Sequence, residues 1–370
     1  MVTNKKIMMI TTTDNMIWQF MIPHIKHLQS LGNTVECVCS KTGFWFDELR
    51  DKFGFTMHEI DFERSPLKLK NIKAYKKLKQ LQKQQKFDLI YCQQPVGGMM
   101  GRLIGKKFKI PVIYTAHGFH FLKGNSPLKN FVFKTIEKWL AKYTDILITI
   151  NEDDFQACQK WKAKKKFKIP GIGFDINKYD NSDFDKQQFK QSLGLKDEFV
   201  VLTVAEFSPG KNYNTMLKTI AQLKNENVKL ISCGRGKCEE EIKNQIKELR
   251  IEDKVTLLGY RKDVNKIMQI SDAFFLPSHR EGLCLSMIES MNFGLPIITS
   301  DVRGCKDLVE DEVNGFVADK DDYVRYAEVI RLLMQNNELK TKMGEQSKSM
   351  APIYSIENVK QQLEEIYKQL

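Results

Sequence analysis

The chain has 370 residues, 42% of them apolar and 28% charged, a globular balance that excludes collagen-like, disordered and disulfide-scaffold classes and predicts two domains, or three. The net charge of +12 is unevenly placed: residues 1–180 carry 31 Lys and Arg against 16 Asp and Glu, and residues 181–370 carry 27 against 30. The basic half suits an anionic partner, nucleic acid or lipid headgroups.

In chain order, short runs rich in Ile, Val and Leu at 6–10, 35–40, 89–91, 112–115 and 146–150 read as buried parallel strands. Helical patterns at 20–31, ended by Gly32, and at 128–143 lie between them. The second half repeats the scheme, with strands at 199–204, 228–233, 255–258, 273–276 and 296–299 and helices at 213–224, 239–249, 285–293 and 322–334. A last helix runs over 356–370. This alternation predicts two open α/β sheets with ligands at the carboxyl ends of their strands. The joint is expected in the polar segment 175–185.

The longest stretches free of Asp, Glu, Lys and Arg are 13 residues, at 89–101 and 110–122. Both contain Gly, Pro or polar residues, so neither is expected to span a bilayer as a helix. No apolar run near the start has signal-peptide length, and a cytoplasmic location is expected. The eight cysteines, at 37, 39, 92, 158, 233, 238, 284 and 305, form no CxxC pair and no zinc spacing, which predicts reduced, mostly buried thiols. Cys37 and Cys39 lie in a strand and read as core.

The strongest local motif is Ser278-His279-Arg280-Glu281-Gly282-Leu283-Cys284, between a strand and a helix that carries Glu289. A turn feeding a helix at a sheet top presents backbone N–H groups to an anion. Two carboxylates there, Glu281 and Glu289, suit hydroxyl clusters such as a sugar and a ribose. The alternative is a solvated Glu281 and a structural Glu289. Lys211, in Glu206-Phe207-Ser208-Pro209-Gly210-Lys211-Asn212, stands at the mouth of another helix, where a diphosphate clamp or an ordinary surface lysine both fit. Gly234-Arg235-Gly236 reads as a tight turn, short of a dinucleotide fingerprint.

His117, in Tyr114-Thr115-Ala116-His117-Gly118-Phe119-His120-Phe121, follows a strand and faces the ligand side or serves structure. His117 and His120 lack a carboxylate or thiol nearby, so metal binding is not expected. His24, His27, His58 and His279 receive no functional reading. Asp319-Lys320-Asp321 and Asp183-Phe184-Asp185 match a metal pattern only by chance spacing, and the former reads as a helix N-cap. Between residues 64 and 86 stand nine Lys and Arg and no Asp or Glu. Ile72, Tyr75, Leu78 and Leu81 recur there every three residues. This is an amphipathic helix whose cationic face (Lys70, Lys73, Lys76, Lys77, Lys83) is either a membrane or acceptor patch or a solvated surface.

The combination resembles the retaining glycosyltransferases of family 4, with the GT-B fold. The resemblance rests on 206–212, Gly234 and Gly236, Gly259-Tyr260-Arg261-Lys262-Asp263-Val264, Ser271-Asp272-Ala273, 277–289, Gly294-Leu295-Pro296, Gly304, Leu308-Val309 and Asn314-Gly315-Phe316-Val317. In the first half, 117–121 and Pro170-Gly171-Ile172-Gly173-Phe174-Asp175 are similar to the subgroup that builds bacterial capsule, exopolysaccharide and glycan precursors. It implies two Rossmann-like doubly wound domains facing across a cleft: 1–178 on the acceptor side, 179–353 for the nucleotide sugar, and 354–370 a helix returning to the first.

It also implies roles. Glu281 holds donor-sugar hydroxyls, Glu289 the ribose and Lys211 the diphosphate. Gly282, Leu283 and Cys284 offer backbone N–H groups, Gly234 belongs to the nucleotide-sugar site, Tyr260 and Arg261 line the base pocket, and His117 lies near the transferred sugar. A UDP-sugar donor and transfer with retention follow from the same resemblance; with a polyprenyl-diphosphate-linked glycan as acceptor, the cationic face of the 70–83 segment is expected to hold the protein at the inner face of the cell membrane. No metal or other cofactor, and no nucleic acid, is implied. Glu206 stands where many members have Arg, and Thr11-Thr12-Thr13-Asp14-Asn15 lacks the paired glycines frequent there. Two other readings stay open: another GT-B enzyme such as a nucleotide-sugar epimerase or phosphorylase, and a non-catalytic basic binding protein. Against nucleic acid, no RNP, KH, helix-turn-helix or zinc-finger pattern occurs.

Overall fold

The computed structural model describes residues 2–43, 45–63, 68–121, 125–177 and 184–370. The chain forms two compact units, Met1–Gly173 with Ile356–Leu370, and Phe174–Ser355.

The first unit is built on strands β1 (Lys6–Thr13), β2 (Thr34–Ser40), β3 (Thr56–Glu59), β4 (Leu89–Gln93), β5 (Val112–Ala116), β6 (Ile146–Thr149) and β7 (Lys165–Lys168). They pair in parallel in the order β3-β2-β1-β4-β5-β6-β7. Residues 7–10 of β1 are wholly buried, as a central strand covered on both faces requires. Met8, Ile10, Ile90 and Cys92 point to one face and pack with Leu78, Ile104 and Ala141. These last come from the helices Lys70–Gln85, Pro95–Phe108 and Pro127–Ala141, which pack side by side in one layer. Tyr91 points to the other face, where its ring meets Tyr367 edge-on. Tyr367 ends the helix Ile356–Tyr367, which packs on the helix Ile22–Ser30.

In the second unit, β8 (Phe199–Val204), β9 (Val228–Cys233), β10 (Val255–Gly259), β11 (Ala273–Leu276), β12 (Ile297–Ser300) and β13 (Gly315–Ala318) form a parallel sheet in the order β10-β9-β8-β11-β12-β13. Its core joins Val201 and Leu202 of β8 and Phe274 and Phe275 of β11 to Met216, Leu217, Met287 and Ile330 from the helices.

Several expectations are corrected. Edge strands β3, β7 and β13 and the helices Pro95–Phe108 and Asn337–Met350 were not expected. The helix expected at 20–31 starts earlier, at Asp14, and runs through a π-turn at Ile17–Met21 before Ile22–Ser30. In the helix Lys70–Gln85, Leu78 and Leu81 are buried with Ala74, but Ile72 is 53% exposed. The true inward stripe is therefore 74-78-81, at i, i+4, i+7. The boundaries expected at 178/179 and 353/354 fall at 173/174 and 355/356. Phe174 is buried, donates its N–H to the Tyr354 carbonyl (3.0 Å) and bridges Ser355, so it belongs to the second core. Residues 178–183 of the expected joint lie outside the described residues. All eight cysteines are free and all but Cys238 are buried. Among the described residues no helix is long and apolar enough to cross a membrane.

Candidate active site

In the second sheet the strand order reverses between β8 and β11. The carboxyl ends of strands at such a reversal are the usual ligand position in open α/β sheets. After β8 the chain makes a single 3-10 turn, Pro209–Lys211, and Asn212 then caps the helix Tyr213–Gln222. Asn212 holds φ +56°, a conformation Asn tolerates better than other non-glycine residues. Its buried side chain donates to the carbonyls of Pro277 (3.0 Å) and Lys320 (2.7 Å), tying this loop to two others.

The loop after β11 brings Glu281 against Lys211, with Nζ to Oε1 at 2.6 Å. The Ser278 hydroxyl donates to the same oxygen at 2.8 Å, and the His279 N–H donates to the Gly210 carbonyl at 2.9 Å. Side-chain exposure is 22% for Lys211 and 11% for Glu281. Burial, the largest single effect, pulls the Lys211 pKa down, but the charge and hydrogen bond of Glu281 together with the nearby Cys284 and Cys305 outweigh it, and the net shift is upward. The ammonium is thus held charged at a largely buried position, where its field on an anion is strong.

Gly282, Leu283 and Cys284 lead into the helix Leu285–Asn292. Burial, then the Glu281 charge, pushes the Cys284 thiol up to about 11, which removes it as a nucleophile near neutral pH. Glu289 stands one turn into this helix. It is only 8% exposed and flanked by Met287, Ile288 and Met291.

A second group surrounds the ends of β9 and β10. A Cβ on Gly234 would stand 1.9 Å from the Ala205 carbonyl oxygen, and one on Gly236 2.3 Å from that of Phe207. Only glycine allows the loop after β9 to run against the loop after β8. Phe207 accordingly donates its N–H to the Arg235 carbonyl at 3.0 Å. Tyr260 is 64% exposed and lies 5.7 Å from the Arg235 guanidinium. Arg261 binds Asp263 through two hydrogen bonds, 2.8 and 2.6 Å. Glu206 is exposed.

In the first unit the order reverses between β1 and β4. The Thr12 N–H donates to Gln94 Oε1 at 3.1 Å across this point, and buried Asp14 accepts from Thr42. His117 follows β5 and donates from Nε2 to Gln93 Oε1 at 2.7 Å. His24, which received no functional reading, is buried close by and donates from Nε2 to the Ile172 carbonyl at 2.6 Å. Burial lowers both imidazoles to about 4, with the neighbouring charge of His24 adding to the shift on His117. No sequence pattern marks His24, because its partner lies 148 residues away.

Lys73, Lys76, Lys77 and Lys83 are exposed on the 70–85 helix, and Lys70 pairs with Glu63 at 3.2 Å. Among the described residues no group of three or more His, Cys, Asp and Glu is arranged to hold a metal ion. Asp322, rather than Asp319 or Asp321, caps the helix Tyr323–Gln335, and Asp185 caps Lys186–Ser192. Asp183 lies outside the described residues.

Comparison with known proteins agrees with this geometry unit by unit. Residues 6–151 match the family model "Glycosyl transferase 4-like", and residues 185–350 match "Glycosyl transferases group 1". EpsD of Bacillus subtilis (strain 168), designated a glycosyltransferase, is 30% identical over 98% of this chain and 96% of its own. An Escherichia coli enzyme, UDP-Gal:alpha-D-GlcNAc-diphosphoundecaprenol alpha-1,3-galactosyltransferase, is 30% identical over 69% of this chain and 68% of its own. Anabaena HepE, crystallised with UDP and glucose, superposes with a TM-score of 0.83 at 21% identity, covering 99% of this chain and 100% of its own, and thereby shows the GT-B fold. With a glycosyltransferase model on each unit and a relative matched along nearly its whole length, this chain belongs to the group 1, family 4-like glycosyltransferases.

Proposed function

We propose that the protein transfers a sugar with retention from a UDP-sugar to a polyprenyl-diphosphate-linked glycan, in the assembly of a surface polysaccharide. The observation that carries this reading is the Lys211–Glu281 pair at the β8/β11 reversal, beside the N-terminus of the 285–292 helix. Departure of the diphosphate leaves positive character on the anomeric carbon and adds negative charge to the leaving oxygen. Lys211, with the N–H groups that follow Glu281, stabilises that charge as it develops. A carboxylate is acceptor-only, so Glu281 takes donor-sugar hydroxyls and Glu289 the two ribose hydroxyls. Tyr260 and Arg261 flank the base, with Gly234 allowing close approach. His117, neutral near pH 7, serves as a hydrogen-bonding group toward the transferred sugar.

Retention follows from attack on the face that the diphosphate leaves, guided by its own oxygen. Lys211 and the helix N–H groups supply the charge neutralisation, so a divalent ion is not required. The acceptor's lipid places the enzyme peripherally at the inner membrane face. The E. coli relative's named acceptor and the UDP in the HepE crystals support this choice of acceptor and donor.

The test is release of UDP or GDP from a panel of nucleotide sugars, with and without undecaprenyl-diphosphate glycans, in EDTA and in Mg²⁺. Acceptor-dependent UDP release that survives EDTA is expected. An altered nucleotide sugar formed without acceptor would make it an epimerase, and activity abolished by EDTA and restored by Mg²⁺ would overturn the metal-free reading.

A further inference from the structure

On the helix Pro127–Ala141 three large apolar side chains face outward. Leu128 is 74% exposed, Phe131 69% and Trp139 43%. They share the outer side with Lys134, Lys138 and, just past the helix end, Lys142, all exposed. The only acidic residue of this helix, Glu137, is turned inward. It meets the fully buried Arg102 (Nη1 to Oε2, 2.9 Å), whose guanidinium stacks 4.0 Å from the Tyr114 ring. The outer face therefore carries apolar groups and positive charge with no carboxylate of its own helix among them. Lys106 Nζ lies 5.6 Å from the Trp139 ring and 4.4 Å from Tyr143, and Lys142 lies 5.5 and 5.2 Å from the same rings.

We propose that this face inserts into an anionic bilayer, with Leu128, Phe131 and Trp139 entering the boundary between headgroups and acyl chains and the lysines engaging lipid phosphates. A bare lysine surface adsorbs to such a membrane, whereas insertion needs exposed apolar side chains beside the charge. Trp and Tyr with lysine above them suit the interfacial depth, because each has an apolar body and a polar tip. The 70–85 helix carries less of this combination: it exposes Ile72 and, at its N-cap, Leu69, but no exposed aromatic ring, and it spends Ala74, Leu78 and Leu81 on the core. It lies in the same helical layer, separated from the 127–141 helix by the 95–108 helix, and with no exposed aromatic anchor it adds mainly charge attraction. The inference rests on the reading that the acceptor is lipid-linked, and it assigns the membrane contact to a different helix from the expected lysine patch.

The experiment is co-sedimentation with vesicles of phosphatidylglycerol and phosphatidylcholine, and of phosphatidylcholine alone. Three proteins are compared: wild type, the pair Leu128→Ser with Phe131→Ser, and a variant with Lys70, Lys73, Lys76, Lys77 and Lys83 changed to Gln. Wild type is expected to bind the anionic vesicles and to keep a salt-resistant fraction. The Leu128/Phe131 pair should lose about tenfold or more in binding, including that fraction. The five-lysine variant should lose only the salt-sensitive part. Brominated acyl chains should quench wild-type fluorescence, and Trp139→Phe should lose most of that quenching.

Equal binding by the Leu128/Phe131 pair, or wild-type indifference to anionic vesicles, overturns the proposal. Self-association abolished by the pair, without vesicle binding, also overturns it by giving the face to a second copy of the chain. Calorimetric titration of UDP in buffer, unchanged in these surface variants, confirms that they are folded. It also reads the proposed donor separately: vesicle binding without UDP binding would sink the UDP-sugar reading and leave the membrane face standing.

Discussion

Glu281 and Lys211 share one contact, 2.6 Å long, yet a bound nucleotide sugar makes different demands on them and on Glu289. If Glu289 holds the ribose, Glu289→Ala weakens uridine and UDP alike, since the lost charge-assisted hydrogen bonds are worth about 1.5–3 kcal/mol each. Lys211→Ala weakens UDP far more than uridine. Glu281→Ala leaves UDP binding largely intact and depresses kcat, because the sugar is misplaced. Calorimetry with the two ligands and steady-state kinetics with the donor check all three. Equal losses for both ligands in Lys211→Ala would make that lysine structural. The placement of Lys211 and Glu281 at a sheet top was legible because a charged residue soon after an apolar strand, with Gly beside it, marks such a turn whatever the rest of the fold, and Glu289 was legible only as part of the helix that follows. His24, Gln93 and Asn212 were not legible in this way. Their positions depend on chain segments far away, Ile172 for His24 and Pro277 and Lys320 for Asn212, and no local pattern encodes such a meeting.

At the scale of elements, the 95–108 helix explains why punctuation residues mislead. Pro95 and Gly97, Gly98, Gly101 and Gly105 read as breakers. A Cβ on Gly98 would stand 2.3 Å from the Tyr114 ring, and one on Gly105 2.2 Å from Val112 Cγ2. The glycines let the helix lie directly on β4 and β5, and packing outweighs their poor helix propensity. Edge strand β7, Lys-Lys-Phe-Lys, went unrecognised for a related reason. One of its sides is unpaired, so lysines are tolerated there and the apolar signal is absent. The same layer holds the Arg102–Glu137 pair, with side chains 0% and 7% exposed. Removing one partner strands a buried charge, so Glu137→Ala is expected to cost about 3–5 kcal/mol. Arg102→Met combined with Glu137→Leu should cost much less than either single change, because the desolvation penalty leaves with both charges. Urea unfolding of the three variants and wild type measures this. Additive losses in the double variant would show that the two residues act separately.

For the molecule as a whole, His24 and His117 make stability depend on pH. Both are held neutral in the folded state down to about 4, against an ordinary value of 6.5. Between those values the unfolded chain takes up protons that the folded chain refuses. Stability is therefore full above pH 6.5, falls as pH drops toward 4, and levels off below, by roughly 3 kcal/mol for each histidine. Denaturant midpoints across this range should show the decline, and the variant with His24→Gln and His117→Gln should show a flatter one. An unchanged slope would mean that other groups set the acid limit. The division of the chain acts on folding in a further way. The first unit comprises Met1–Gly173 and Ile356–Leu370, with all of Phe174–Ser355 intervening. During synthesis the usual order of domain completion is therefore inverted. The second unit, continuous in sequence, is able to close while the first still lacks the helix whose Val359, Leu363, Ile366 and Tyr367 fill its core. Until that helix is made, the aromatic ring of Tyr91 and the surface around it wait uncovered, and a nascent chain halted within this interval would present that surface to chaperones and proteases.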